Sequence, residues 1–217
     1  MTRMTSDANS RIHQPMNELA TTLPGGDAAH DAAVRRRTAA AWISGGVLWA
    51  TGGLLYAGSG WLFRASSATF LAADVVLAAA ILGLLVLRPH GSSRPATAAL
   101  VLALTARVVF AIAEVSGLIT GTDNTVLLPI AGVLTGLATL AYGALARRAS
   151  RGLRAATIAT GLYFFVVMMP FAAATGEPPA LALAAWGVPI ALLGLTINRC
   201  AARHPGTTGA SLAVRSA

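Results

Sequence analysis

Three ionisable residues lie inside long apolar stretches of the chain, where charged side chains are rare. Asp74 and Glu114 are the acids in such stretches, and Arg107 is the arginine. Each costs roughly 2.5–3.5 kcal/mol at the centre of a bilayer on insertion scales, so each is expected to face a bundle interior and to have a partner. These three residues are the candidates for chemistry inside a membrane.

The spacing of the three residues predicts an ion pair beside an acid. Arg107 and Glu114 are seven residues apart, which in a helix places them on one face about 10 Å apart along the axis. Asp74 falls between them in depth on the preceding apolar stretch, so we expect an Asp74–Arg107 pair with Glu114 nearer the outer surface. A buried carboxylic acid can donate a proton, and Arg107 would hold the counter-charge. The alternative is a pair that only fixes the register of two helices, with Glu114 reaching the headgroups.

Aromatic residues accompany these charges at middle or outer depth. Aromatic faces stabilise cations, so these rings are candidates for lining a substrate pocket. The alternative for each ring is ordinary core packing. Trp42 and Trp61 are instead expected in the interfacial belt. The five candidate pocket residues are Trp49, Phe110, Tyr163, Phe164 and Trp186.

The elements that must position these residues are membrane-spanning helices. The chain has 217 residues, of which 55% are hydrophobic and only 11% are charged, whereas soluble domains carry roughly a quarter charged residues. A helix needs about 20 apolar residues to span the hydrocarbon core. We therefore predict an all-α integral membrane protein, a bundle of six transmembrane helices joined by short loops. The predicted spans are 38–58, 66–87, 96–119, 125–146, 155–174 and 179–197.

Arginine placement predicts the orientation of this bundle. Arginines concentrate at the start of the first span, in the second and fourth loops and after the last span, and such residues favour the cytoplasmic side. We expect both termini to be cytoplasmic, with residues 1–37 a disordered N-terminal tail and residues 198–217 a C-terminal tail. The expected location is the cell membrane, a bacterial inner or plasma membrane, crossed several times. The net charge of +8 then meets membrane lipids, and nucleic-acid binding is not expected.

Small residues recur along two of the predicted helices. Gly132, Gly136 and Gly143 share a stripe on the fourth, and Gly187, Ala191 and Gly194 share one on the sixth. Such stripes permit close helix packing. We expect packing within the bundle; the alternative is a homo-oligomer formed through these glycine faces.

The sequence lacks the residues that metal binding and nucleotide binding require. The four histidines lie outside the predicted helices, and no cluster of His, Cys and Asp has zinc or copper spacing. No phosphate-binding or dinucleotide motif occurs in the loops. We therefore predict neither a metal nor a cofactor.

These observations favour a membrane-embedded enzyme acting on a lipophilic small molecule, such as an isoprenoid. Glu114 or Asp74 would start a cyclisation or isomerisation by donating a proton, without metal or nucleotide. In size and helix number the chain looks like small membrane-bound terpene cyclases; this is a resemblance of plan, and it assigns no residue. The alternatives are a small proton- or cation-coupled transporter and a non-catalytic membrane sensor or subunit.

Overall fold

Six long helices form the part of the chain that the computed structural model describes, which is residues 24–58 and 60–202. Each is long and apolar enough to cross a membrane, as predicted. No strand occurs among the described residues. The helices are α1 (Pro24–Leu55), α2 (Trp61–Leu87), α3 (Arg94–Thr120), α4 (Leu127–Leu145), α5 (Arg151–Thr175) and α6 (Ala180–Ala202).

The helices extend beyond the apolar spans at several ends. α1 begins at Pro24, so residues 24–37, which we expected in a disordered tail, are helical instead. This segment is rich in alanine and arginine, which favour helix whether or not lipid surrounds them, whereas hydropathy marks only the part at membrane depth. α6 likewise continues past residue 197. The rest of the predicted tails, residues 1–23 and 203–217, lies outside the described residues.

The six helices form a closed ring. Each helix packs against its neighbours in sequence, and α6 returns to pack against α1. Among the described residues, the backbones of helices on opposite sides of the ring do not approach each other. Side chains line the axis of the ring, and at one end they leave a cavity bordered by all six helices.

Glycines allow the ring to close between α1 and α6. A Cβ atom at Gly46 would lie 2.6 Å from both the Gly187 carbonyl oxygen and the Ala191 backbone nitrogen. A Cβ at Gly194 would collide with the backbone of Ala39 on α1. The approach of the two helices is thus limited by backbone atoms, which cannot move aside as a flexible side chain can.

The glycine stripes therefore face other helices of the same chain. The α6 stripe packs on α1, while Gly132 and Gly136 of α4 lie against the rings of Phe164 and Phe165 on α5. The prediction that these glycines pack within the bundle is confirmed. A homo-oligomer would need some other face of the protein.

The two ends of the ring differ in the loops that they contain. The arginine-rich end holds the start of α1 and the loops at 88–93 and 146–150. The cavity end holds residues 56–58 and 60 and the loops at 121–126 and 176–179. In two of the latter loops Gly121 and Gly176 take positive φ angles of 74° and 84°, which end α3 and α5 and turn the chain back.

Gly46→Ala tests the close approach of α1 and α6. The added methyl group would meet backbone atoms on α6, so the protein is expected to lose about 1–3 kcal/mol of stability through overpacking. The matched control is Gly152→Ala on α5, where the nearest atom would lie 3.6 Å from the new Cβ and helix propensity improves. Thermal unfolding in mild detergent measures both variants. Equal stability of the two would contradict this packing.

Candidate active site

A cavity of about 210 Å³ occupies the cavity end of the ring. Every helix or an adjoining loop contributes to its wall. Most of the wall is apolar, but three carboxylates line it, Glu114 on α3 and Asp123 and Glu177 in the loops. No arginine is among the lining residues. The cavity therefore combines an apolar wall with negative charge.

The inner end of the cavity is formed by an aromatic cluster centred on Trp49. Its ring centroid lies 4.9 Å from that of Phe70, 5.4 Å from Phe110 and 5.2 Å from Trp186. The last two contacts are edge-to-face, the geometry that aromatic quadrupoles favour. These four rings are buried, come from four different helices and all line the cavity. We call them the aromatic floor.

Four of the five aromatic residues predicted for a pocket do line it: Trp49, Phe110, Phe164 and Trp186. Tyr163 does not line it. Its hydroxyl donates a hydrogen bond of 3.0 Å to the Ala182 carbonyl, which ties α5 to α6. Tyr163 lies about 100° around α5 from Phe164, and its hydroxyl points to α6 instead of the cavity.

One of the two tryptophans expected at the membrane interface lies elsewhere. Trp42 is buried within the bundle, because it shares the interior face of α1 with Trp49, seven residues further on. Trp61 is 73% exposed, as an interfacial residue would be.

A local widening of α5 lies where this helix borders the cavity. The turn Phe164–Met168 is π-helical, and the N–H of Met169 donates to the carbonyl of Phe164, five residues earlier. Pro170 follows at once; it has no N–H and its ring would collide with the carbonyl four residues before it. A wider turn accommodates this proline, and such turns are frequent at functional sites. Phe164 and Met168 both line the cavity.

Glu114 is the acid that a helix presents directly to the cavity. It lies one turn beyond Phe110 on the same face of α3, and it is 7% exposed. Ser67 of α2 also lines the cavity and lies beside it. Glu114 can therefore meet a molecule in the cavity while bulk water has little access to it.

The mouth of the cavity contains an interaction that the sequence did not reveal. The Tyr56 hydroxyl donates a hydrogen bond to the carboxylate of Asp123. Burial and the nearby Glu177 raise the pKa of Asp123, and the bond from Tyr56 opposes them. Burial and Asp123 also raise the pKa of Tyr56. The only signal in the sequence was that Asp123 and Glu177 occupy loops on the same predicted side.

Tyr56→Phe tests this interaction through the pH dependence of stability. Without the hydrogen bond, the pKa of Asp123 is expected to rise further above its ordinary value. A folded state with a raised carboxyl pKa binds a proton that the unfolded state has released, so stability falls as the pH rises from the ordinary aspartate pKa through the folded one. This fall should extend to higher pH in Tyr56→Phe than in the wild type. Melting temperatures across pH measure it, with each protein compared with its Asp123→Asn counterpart. If the difference in melting temperature between each protein and its Asp123→Asn counterpart has the same pH dependence in the wild type and in Tyr56→Phe, the bond does not control the pKa of Asp123.

Arg107 joins three helices beneath the aromatic floor. Its Nη1 donates to Asp74 Oδ1 at 3.0 Å, and its Nη2 donates to Thr135 Oγ1 at 2.6 Å. The guanidinium carbon lies 4.8 Å from the Phe110 ring centre and 5.3 Å from that of Trp49. Both charged side chains are almost fully buried, with 4% and 1% exposure. The predicted Asp74–Arg107 pair is confirmed.

This ion pair does not line the cavity. Of the three residues predicted to be catalytic, only Glu114 is in the wall, whereas Asp74 and Arg107 lie behind Trp49 and Phe110. The sequence positions of these three residues predicted similar depths in the membrane. They could not show that the rings of Trp49 and Phe110 lie between the ion pair and the cavity. The Arg107 side chain lies against Trp49 and Phe110, and Glu114 faces the cavity.

Arg107→Leu should destabilise the protein strongly. It would leave the Asp74 carboxylate buried without its partner, a change that typically costs about 3–5 kcal/mol. The double variant Asp74→Asn, Arg107→Leu removes both charges and is expected to recover most of this loss. Equilibrium unfolding in mild detergent compares the two. If the double variant is as unstable as the single one, the ion pair does not hold the bundle in this way.

No metal site is apparent in the described part of the chain, where His, Cys, Asp and Glu form no group of three or more suited to a metal ion. Comparisons with protein-family models, with curated proteins and with solved structures found no match. The geometry of the cavity is therefore the basis on which a function can be argued.

Proposed function

We propose that the protein is a membrane-embedded enzyme that holds a lipophilic small molecule in the cavity and starts its cyclisation or isomerisation by donating a proton. The observation that carries this proposal is the position of Glu114, an acid one helical turn above an aromatic floor. The proposed acid and the proposed cation-stabilising surface thus face the same enclosed space.

Glu114 would act as the proton donor. Protonation of a carbon–carbon double bond produces a carbocation, and the faces of Trp49 and Phe110 would stabilise that charge. Loss of a proton from the rearranged cation to the carboxylate of Glu114 returns the acid to its starting form. The reaction is balanced, because one proton enters the substrate and one leaves it.

The charge of the wall restricts the substrate. The carboxylates of Asp123 and Glu177 lie in the wall and no arginine is among the lining residues, so a phosphate group would meet negative charge and find no basic side chain in the wall. An uncharged polyene or isoprenoid fits this wall, whereas a diphosphate ester does not. Trp49, Phe110, Phe164 and Trp186 would contact the substrate, and membrane lipids would surround the outside of the ring.

Asp74 and Arg107 have a positioning role in this proposal. They lie behind the floor and have no contact with the cavity, so they would hold Trp49 and Phe110 in place rather than transfer protons to substrate.

The orientation forms part of the proposal. The arginine-rich end would face the cytoplasm, as positively charged loops generally do. Both termini would then be cytoplasmic, and the cavity would open toward the outer leaflet of the cell membrane.

Glu114→Gln is the direct test of this function. The variant keeps the shape of the side chain but cannot donate its proton, so it should still retain the lipophilic molecule and fail to convert it, with turnover lower by about two to four orders of magnitude. Native mass spectrometry from mild detergent identifies the retained molecule, and product analysis after adding it measures conversion.

The matched control is Val115→Ala, a change at the adjacent residue, whose side chain points out of the bundle and is 43% exposed. It should convert the substrate as the wild type does. Unchanged turnover in Glu114→Gln would contradict the enzyme proposal. Retention of a cation with no conversion in any variant, together with proton-coupled uptake in liposomes, would favour the transporter instead.

A further inference from the structure

Polar side chains continue along the axis of the ring on the far side of the ion pair. Thr135, Thr139 and Tyr142 lie at intervals of four and three residues along the buried side of α4. The Thr139 hydroxyl lies against Gly161 on α5 and donates to the Thr135 carbonyl of its own helix. All three are buried. Thr135 accepts the hydrogen bond from Arg107, and Tyr142 lies near the arginine-rich end of α4, about 10 Å further along the axis. A row of hydroxyl groups thus leads from Arg107 toward that end.

His90 closes the row at the arginine-rich end. This histidine belongs to the loop between α2 and α3, is 2% exposed, and contacts the Tyr142 ring edge-to-face with centroids 5.7 Å apart. Its Nε2 lies 3.0 Å from Thr97 Oγ1. A Cβ at Gly91, the next residue, would lie 2.9 Å from the side chain of Arg148, so the two loops at this end lie against each other. The loops cover the end of the row.

Several buried polar atoms along this half of the axis have no hydrogen-bond partner among the described residues. They are Asp74 Oδ2 beside Arg107, the Tyr142 hydroxyl, His90 Nδ1 and Trp42 Nε1. A buried polar group without a partner costs about 1–3 kcal/mol, and four such groups in one region require a common explanation. Water satisfies buried polar groups of this kind, typically making about three hydrogen bonds to them.

We propose that this half of the ring is a water-accessible proton route, which leads from the arginine-rich end to Asp74 and is gated by His90. Water admitted past His90 would bond to Tyr142, Thr139 and the free oxygen of Asp74, so that a proton could move along them, with one O–H bond broken as the next one forms. The aromatic floor separates the route from the cavity. The route therefore serves Asp74 from one side of the membrane, and it does not depend on the chemistry proposed for Glu114.

Such a route has a consequence for function. It would let Asp74 exchange a proton with the arginine-rich side of the membrane, separately from the exchange between Glu114 and a substrate in the cavity. Confirmation would show that the protein exchanges protons at two separate places along its axis.

Silver-ion accessibility tests the route without knowledge of the ligand. In a Cys200→Ser background, which removes the only native cysteine, Thr139→Cys places a thiol in the row. Leu137→Cys is the matched control, because it lies on the same helix at similar depth but is 49% exposed on the outside of the bundle. Silver nitrate is added to one side of oriented vesicles in chloride-free buffer, and the thiols that remain free are counted after unfolding. Helical content and elution volume establish that each variant is folded, and Tyr142→Cys provides a second site if Thr139→Cys is not.

The thiol at position 139 should react from the arginine-rich end and not from the cavity end, while the thiol at position 137 should react from neither. Adding His90→Ala should speed the reaction at position 139 by about tenfold or more, equivalent to a barrier lower by about 1.4 kcal/mol. Reaction from the cavity end would overturn the proposal. Equal reaction rates at positions 139 and 137, both with and without His90→Ala, would also overturn the proposal.

Discussion

The burial of one guanidinium group organises the interior of this protein. Arg107 cannot lie at mid-membrane without partners, and its planar group can satisfy several at once. It bonds to Asp74 on α2 and Thr135 on α4, and it lies near the rings of Trp49 on α1 and Phe110 on α3. Four consecutive helices are thus linked around one charge. The relative depth of these helices follows from where this group must lie.

The aromatic floor depends on the same charge. Trp49 and Phe110 touch Arg107 on one side and line the cavity on the other. The remaining two helices complete the enclosure by different means. α6 reaches α1 through glycines that let the backbones meet, and α5 widens at Phe164–Met168 so that its side chains fill the gap beside α4. The cavity is what remains at the end of the ring where the loops are acidic.

Sequence reasoning succeeded where a single physical rule controls the outcome. Hydropathy located the six helices, and helical periodicity with the cost of buried charge paired Asp74 with Arg107. It failed where the outcome depends on how helices turn toward one another. The face of Tyr163 depends on the packing of α5 against α6, and the burial of Trp42 depends on which side of α1 faces the ring. The Tyr56–Asp123 bond joins residues 67 positions apart, which meet only after the ring closes. The helical start of α1 was missed because hydropathy does not detect a helix outside the membrane.

The central claim is that the acidic, aromatic cavity holds a lipophilic molecule within reach of Glu114. An experimental structure of the protein, purified with its native lipids and kept in lipid nanodiscs, tests this most directly. The account predicts discrete non-protein density in contact with Trp49 and Trp186 and close to the Glu114 carboxyl group, with a shape that matches the retained molecule. A cavity that contains only water, or only the ends of ordinary lipid acyl chains, would contradict it.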